Sequence, residues 1–141
     1  MTLRSDGPGN QEIYAEEIDQ ARQQLFKGQL VHTDARTLRL VAGADPRPFR
    51  VDVLGSWRRA SPGEAQAPVS AGAQIGVKLH CSGAGVRCTP LSSERRNVLS
   101  KSDGATWMWD VSAQRPGKVS FALTVTAYFR ESDTVLPRSR L

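Results

Sequence analysis

Thr106-Trp107-Met108-Trp109-Asp110-Val111, then Gln114-Arg115-Pro116-Gly117, then Lys118 to Tyr128, is the stretch whose reading decides the fold. Trp107, Trp109 and Val111 fall at every second position, as do Val119, Phe121, Leu123, Val125 and Ala127. A strand sends successive side chains to opposite faces, so each run reads as a half-buried antiparallel strand. Arg115-Pro116-Gly117 between them suits a tight turn, because proline presets one backbone angle and glycine accepts positive φ. The expectation is a β-hairpin with its tryptophans in the core.

Outward from this stretch the same pattern recurs. Phe49, Val51 and Val53 alternate with Arg50 and Asp52. Ile75, Val77, Leu79 and Cys81 share one face of a strand over residues 73–81, and Val86 and Cys88 point inward on the return. Shorter strands are expected over 29–33, 37–42 and 97–101. Residues 55–68 are polar and rich in Gly, Pro, Ser and Ala, and read as a long surface loop. Before the strands, Tyr14, Ile18, Ala21 and Leu25 fall at helical spacing within residues 11–27, with Gly28 as the residue that ends the helix. The expected architecture is mainly β: an antiparallel β-sandwich of immunoglobulin-like type with one N-terminal amphipathic helix. Its parts are a flexible lead (1–10), one domain (11–129) and a flexible basic tail (130–141).

With 141 residues the chain can close a core without staples. Its 39% hydrophobic and 23% charged residues place it among globular chains. The net charge of +5 permits contact with nucleic acid or anionic lipid without demonstrating it. No run is long enough for a membrane span. The N-terminal residues lack the apolar core of a signal peptide. A cytoplasmic location follows if Met1 is the native start.

Catalytic and metal chemistry find little support. A zinc site needs about four ligands, and Cys81, Cys88, His32 and His80 are the candidates. His80 and Cys81 are adjacent, so on a strand they face opposite ways, which breaks both a metal cluster and a Cys–His dyad. Neither a nucleophile elbow nor a phosphate-binding loop is present. No cofactor is expected. Cys81 and Cys88 bracket a turn and can be bridged, but in a reducing compartment two small buried thiols are the favoured reading.

The remaining candidates lie in loops. Trp57, Arg58 and Arg59 combine an aromatic with two cations, the composition enriched in binding hot spots. The competing reading is that Trp57 caps a sheet edge. Arg95 and Arg96, with Arg58 and Arg59, form an alternative set for anionic surfaces or nucleic acid. Against that alternative, the aromatics mostly alternate into the core instead of interleaving with the basic residues.

From Leu25 to about Tyr128, roughly three-quarters of its length, the chain resembles a β-sandwich module that recurs in bacterial multidomain proteins. That module ends in Trp-x-Trp-x-Val-x-Pro-x-x-x-Gly and a long alternating strand. Trp107, Trp109, Val111 and Gly117 match it, while Ala113 stands where Pro is common. The resemblance implies a non-enzymatic accessory or interaction role beside effector, signalling or membrane-attached domains, and transfers no site residue. The partner implied is another protein, with self-association left open and no membrane insertion.

Overall fold

Period-two alternation is converted into nine strands among the described residues. These are 6–130 and 132–141 of the computed structural model, with side chains from residue 13 onward. The order is α1 (Asp6–Gln24), β1 (Phe26–Thr33), β2 (Arg47–Leu54), β3 (Glu64–Ala71), β4 (Ala73–Ser82), β5 (Arg87–Pro90), β6 (Arg95–Val98), β7 (Gly104–Ser112), β8 (Ser120–Tyr128) and β9 (Val135–Arg140). The strands form two antiparallel sheets, β3-β1-β2-β7-β5 and β6-β4-β8-β9. Leu30, Phe49, Val51, Val53, Trp107, Trp109 and Val111 of the first sheet pack against Ile75, Val77, Leu123, Val125 and Ala127 of the second. Phe121 and Leu79 join this cluster at its margin. The β-sandwich and its tryptophan core are therefore as the alternation predicts. The Trp107 indole N–H would be costly to bury unpaired, and it donates to the Glu94 carbonyl at 2.7 Å.

The pairing of the decisive stretch differs from expectation. β7 and β8 are not a hairpin. β7 pairs with β2 and β5, and β8 pairs with β4 and β9. The connection between them crosses from one sheet to the other. Its backbone is held by neighbouring loops: Gln114 and Arg115 N–H both donate to the Ala84 carbonyl, and Gly43 N–H donates to Ala113. Alternation reveals that each strand has an apolar face, but not whether the next strand lies beside it or opposite it.

The cysteines follow the same logic. Cys81 lies in β4, one residue before its end, and Cys88 lies in β5, so they sit on different sheets and are not cross-strand neighbours. They form a disulfide, with Cα atoms 6.5 Å apart, which overturns the reading as free thiols. The bridge pins the two sheets together where the chain crosses between them.

Four local expectations are corrected. Residues 64–68, expected as the end of the 55–68 loop, belong to the edge strand β3, which pairs with β1 from Phe26↔Ala71 to Thr33↔Glu64. Pro68 concealed it, but an edge strand tolerates a missing N–H. Residues 37–42, expected as strand, are turn and irregular chain. The tail expected to fray contains β9, which pairs along β8 with an irregularity between Thr126 and Tyr128. The helix starts at Asp6 and ends at Gln24, so Gly28 lies inside β1 instead of ending a helix. The first five residues of the expected lead lie outside the described residues.

The helix is less amphipathic than expected. Ile18, Ala21 and Leu25 are half-buried, while Ile13 and Tyr14 are exposed. It is tied to the β8–β9 end by Tyr14, whose ring meets Phe129 edge-on at 5.5 Å, and by an ion pair of Glu17 with Arg130 at 3.5 Å. β3 and β4 are separated by Gly72 alone, which turns the chain from one sheet into the other at φ +97°. Such a corner favours glycine, which has no Cβ to clash. Among the described residues no helix is long and apolar enough to cross a membrane.

Two stability measurements check this architecture. Trp109→Ala should cost about 3–5 kcal/mol, as aromatic truncation in a core does, and an unchanged melt would contradict the buried position of Trp109. Closing so short a loop contributes about 2–3 kcal/mol. Reduction of Cys81–Cys88 should therefore lower the melting temperature by about 5–10 °C, and a melt indifferent to reductant would show that the bridge is absent.

Candidate functional site

The loop that carries Trp57, Arg58 and Arg59 runs from Gly55 to Gly63, between β2 and β3. It is shorter than the 55–68 loop expected, and it is anchored at several points. Gly55 N–H donates to the Asp103 carbonyl at 2.9 Å, and the Ser56 hydroxyl donates to the Lys101 carbonyl. Gln29, which is 1% exposed, then takes the loop backbone onto the outer face of β1. Its amide donates to the Arg58 carbonyl at 2.6 Å and accepts from Arg58 N–H at 2.7 Å. A second donor position reaches Gln66 Oε1 at 2.8 Å. A buried amide with satisfied partners fixes backbone position closely, since any shift leaves a polar group unpaired.

Arg58 itself turns inward. Both terminal guanidinium nitrogens donate to Glu64, each at 3.2 Å, in a fork geometry. Behind Glu64 lies Asp52, 4% exposed, with its carboxylate 3.6 Å from Arg58. Asp52 accepts from the Thr106 hydroxyl at 2.6 Å and from Arg50 Nε at 3.2 Å. Arg58 is therefore a brace, not a free contact cation. The hydrogen bonds from Arg58, reinforced by the Ser61 N–H at 2.8 Å, hold the Glu64 carboxyl below its ordinary value.

Trp57 points the other way. It is 64% exposed, which excludes the reading in which it caps a sheet edge. Arg59 is exposed beside it. Of the three residues expected at this site, two are presented to solvent and the middle one holds the loop. Gln29, Asp52 and Glu64 complete the site. Sequence reasoning missed them because Glu64 fell within the 55–68 loop, Asp52 read as an outward-facing strand residue, and nothing marked Gln29 as buried.

The alternative cationic set does not assemble. Arg95 and Arg96 are consecutive on β6, so they face opposite sides. Arg95 stacks over the Tyr128 ring at 3.6 Å and pairs with Asp133 at 2.7 Å. With Arg58 committed to Glu64, the four arginines offer no single basic surface.

Both thiols are consumed by the disulfide. Among the described residues no three His, Cys, Asp or Glu side chains gather as a metal-binding group. His80 lies on the outer face of β4, with Nε2 3.0 Å from Thr124 Oγ1. Comparison with protein-family models, with curated proteins and with solved structures returned no match.

The brace has a pH signature. Glu64 is held below its ordinary value of 4.5, Asp34 is lowered chiefly by its bond from Arg36, and Asp103 by the N–H groups of Ser100 and Leu99. A carboxyl lowered by folding stabilises the fold above its unfolded value, and that stabilisation is lost as pH falls through the folded value. The melting temperature should therefore be level at neutral pH and decline below about pH 4.5. Glu64→Gln should flatten part of the decline, and an identical acid profile for this variant would show that the brace contributes nothing.

Proposed function

We propose that this chain is a non-enzymatic protein-interaction or adaptor module of immunoglobulin-like type, and that the Gly55–Gly63 loop presents its partner-binding residues. The carrying observation is Trp57, 64% exposed on a loop fixed through Gln29 and the Arg58–Glu64 fork. An exposed aromatic on a mobile loop would lose much of its contact energy in being ordered. Here the ordering is completed by folding, and that preorganisation favours affinity. Trp57 with Arg59 fits a protein pocket that is apolar at its centre and carries carboxylates at its rim. The resemblance to bacterial accessory modules supports a place beside an effector, signalling or membrane-attached domain.

The compartment is read differently from the cytoplasmic expectation. A disulfide that joins the two sheets suits an oxidising environment, where such bonds form and persist.

Trp57→Ala tests the reading. Exposed substitutions away from anchoring contacts usually change stability by about 0.5 kcal/mol or less, so the melt should be unaltered. A photo-crosslinking residue at position 59 should capture a partner in the wild-type background, and Trp57→Ala should abolish that capture. Equal capture by the two proteins would remove Trp57 from the interface.

A further inference from the structure

The outer face of the second sheet carries a separate arrangement of charge and hydroxyls. Along β8, Thr124, Thr126 and Tyr128 alternate with buried Leu123, Val125 and Ala127. Along β4, Gly76, Lys78 and His80 share that outer face. The register aligns them in rows: Lys78 opposite Thr124 opposite Arg140, and Gly76 opposite Thr126 opposite Arg138. Neighbouring strands lie about 4.8 Å apart, so Lys78 and Arg140 flank Thr124 at roughly 10 Å from backbone to backbone. These residues, with Glu94, line a concavity of about 460 Å³.

The floor of this concavity is built. The Tyr128 ring lies across Gly76, where an added Cβ would stand 2.7 Å from a ring carbon. Arg95 covers the ring at 3.6 Å. The aromatic face is thus occupied and is not free to stack a base, which argues against a nucleic-acid groove.

The polar inventory is one-sided. Lys78, Arg138 and Arg140 bring positive charge, and Glu94 is the lone carboxylate of the lining, 4.0 Å from Lys78. Arg138 and Arg140 enter no salt bridge among the described residues. Thr126 is 4% exposed, and its oxygen accepts from Arg138 Nε at 3.4 Å. Its own O–H has no protein acceptor among the described residues. A buried hydroxyl proton without an acceptor carries a cost, and a ligand oxygen in the concavity would remove it. The Thr126 hydroxyl and two guanidinium groups that have no carboxylate partner among the described residues fit a tetrahedral oxyanion, to which arginine can donate two parallel hydrogen bonds.

We propose that this face is a binding site for a phosphate or sulfate group, held by Arg138, Arg140, Lys78 and the Thr126 hydroxyl. The site lies on the opposite sheet from Trp57, so either can fail without the other.

Sodium phosphate and glucose 6-phosphate, titrated separately into the full chain at constant ionic strength, test it by amide NMR and calorimetry. Saturable binding near millimolar affinity should move the Gly76 and Thr126 resonances. Arg138→Gln should weaken it about tenfold, and Thr126→Val should weaken it with the melt unchanged. Glu94→Gln should tighten it by removing a like charge, and as an exposed change it keeps the test open if Thr126→Val fails to fold. Arg59→Gln should have no effect. Tighter binding of the sugar phosphate assigns the site to an ester, and equal binding assigns it to the free anion. Shifts that rise linearly without saturation, or a loss with Arg59→Gln as large as with Arg138→Gln, would reduce the observation to general surface charge and overturn the site.

Discussion

The contact between the two inner faces, Trp107, Trp109 and Phe49 against Val77, Leu123 and Val125, is what the rest of the molecule depends on. Five successive connections, from β3→β4 through β7→β8, pass from one sheet to the other. Among the described residues only β1–β2 and β8–β9 are hydrogen-bonded neighbours that also follow each other in sequence. Neither sheet can therefore assemble as a run of hairpins. Each waits on the other, and burial of the shared apolar face is the favourable term that brings them together. The disulfide and the Gly72 corner reinforce that contact at crossings, where the chain itself supplies the link.

The strand faces were legible because side-chain burial and period two are the same statement. Strand pairing was not, since Trp107-x-Trp109-x-Val111 and Phe121-x-Leu123-x-Val125 look alike whether they lie side by side or face to face. Proline was misleading at Pro68, within the expected 55–68 loop, and at Pro137, within the expected tail. Pro68, Pro90 and Pro137 sit on β3, β5 and β9, all of them at sheet edges. A residue that argues against a central strand is at home on an edge, where it also discourages pairing with other chains. The strand expected over 37–42 failed in the opposite direction: Leu38 and Leu40 alternate and do pack on the core margin, but without a paired neighbour.

The candidate sites show a similar division. Exposure of Trp57 was one of two readings that its polar surroundings left open. The role of Arg58 did not, because a guanidinium in a loop looks the same in sequence whether it faces a partner or an internal carboxylate. Gln29 and Glu64 are separated from it by enough chain that only the folded register joins them. The cationic rows on the second sheet were hidden still further. They draw on β4, β8 and β9, and β9 had been read as a frayed tail.

The crossing pattern also bears on how quickly the native state is reached. Local contacts form early because little chain entropy is lost in closing them, whereas pairings between distant segments must be searched for. In this chain β2 meets β7 and β4 meets β8 across long intervening stretches. Folding should accordingly belong to the slow, millisecond-to-second class of all-β domains. During that search the Trp107–Val111 segment stands with its apolar face uncovered. The seven-residue separation of Cys81 and Cys88 makes their bridge a local link between the two sheets, closed at little cost in chain entropy compared with the distant pairings.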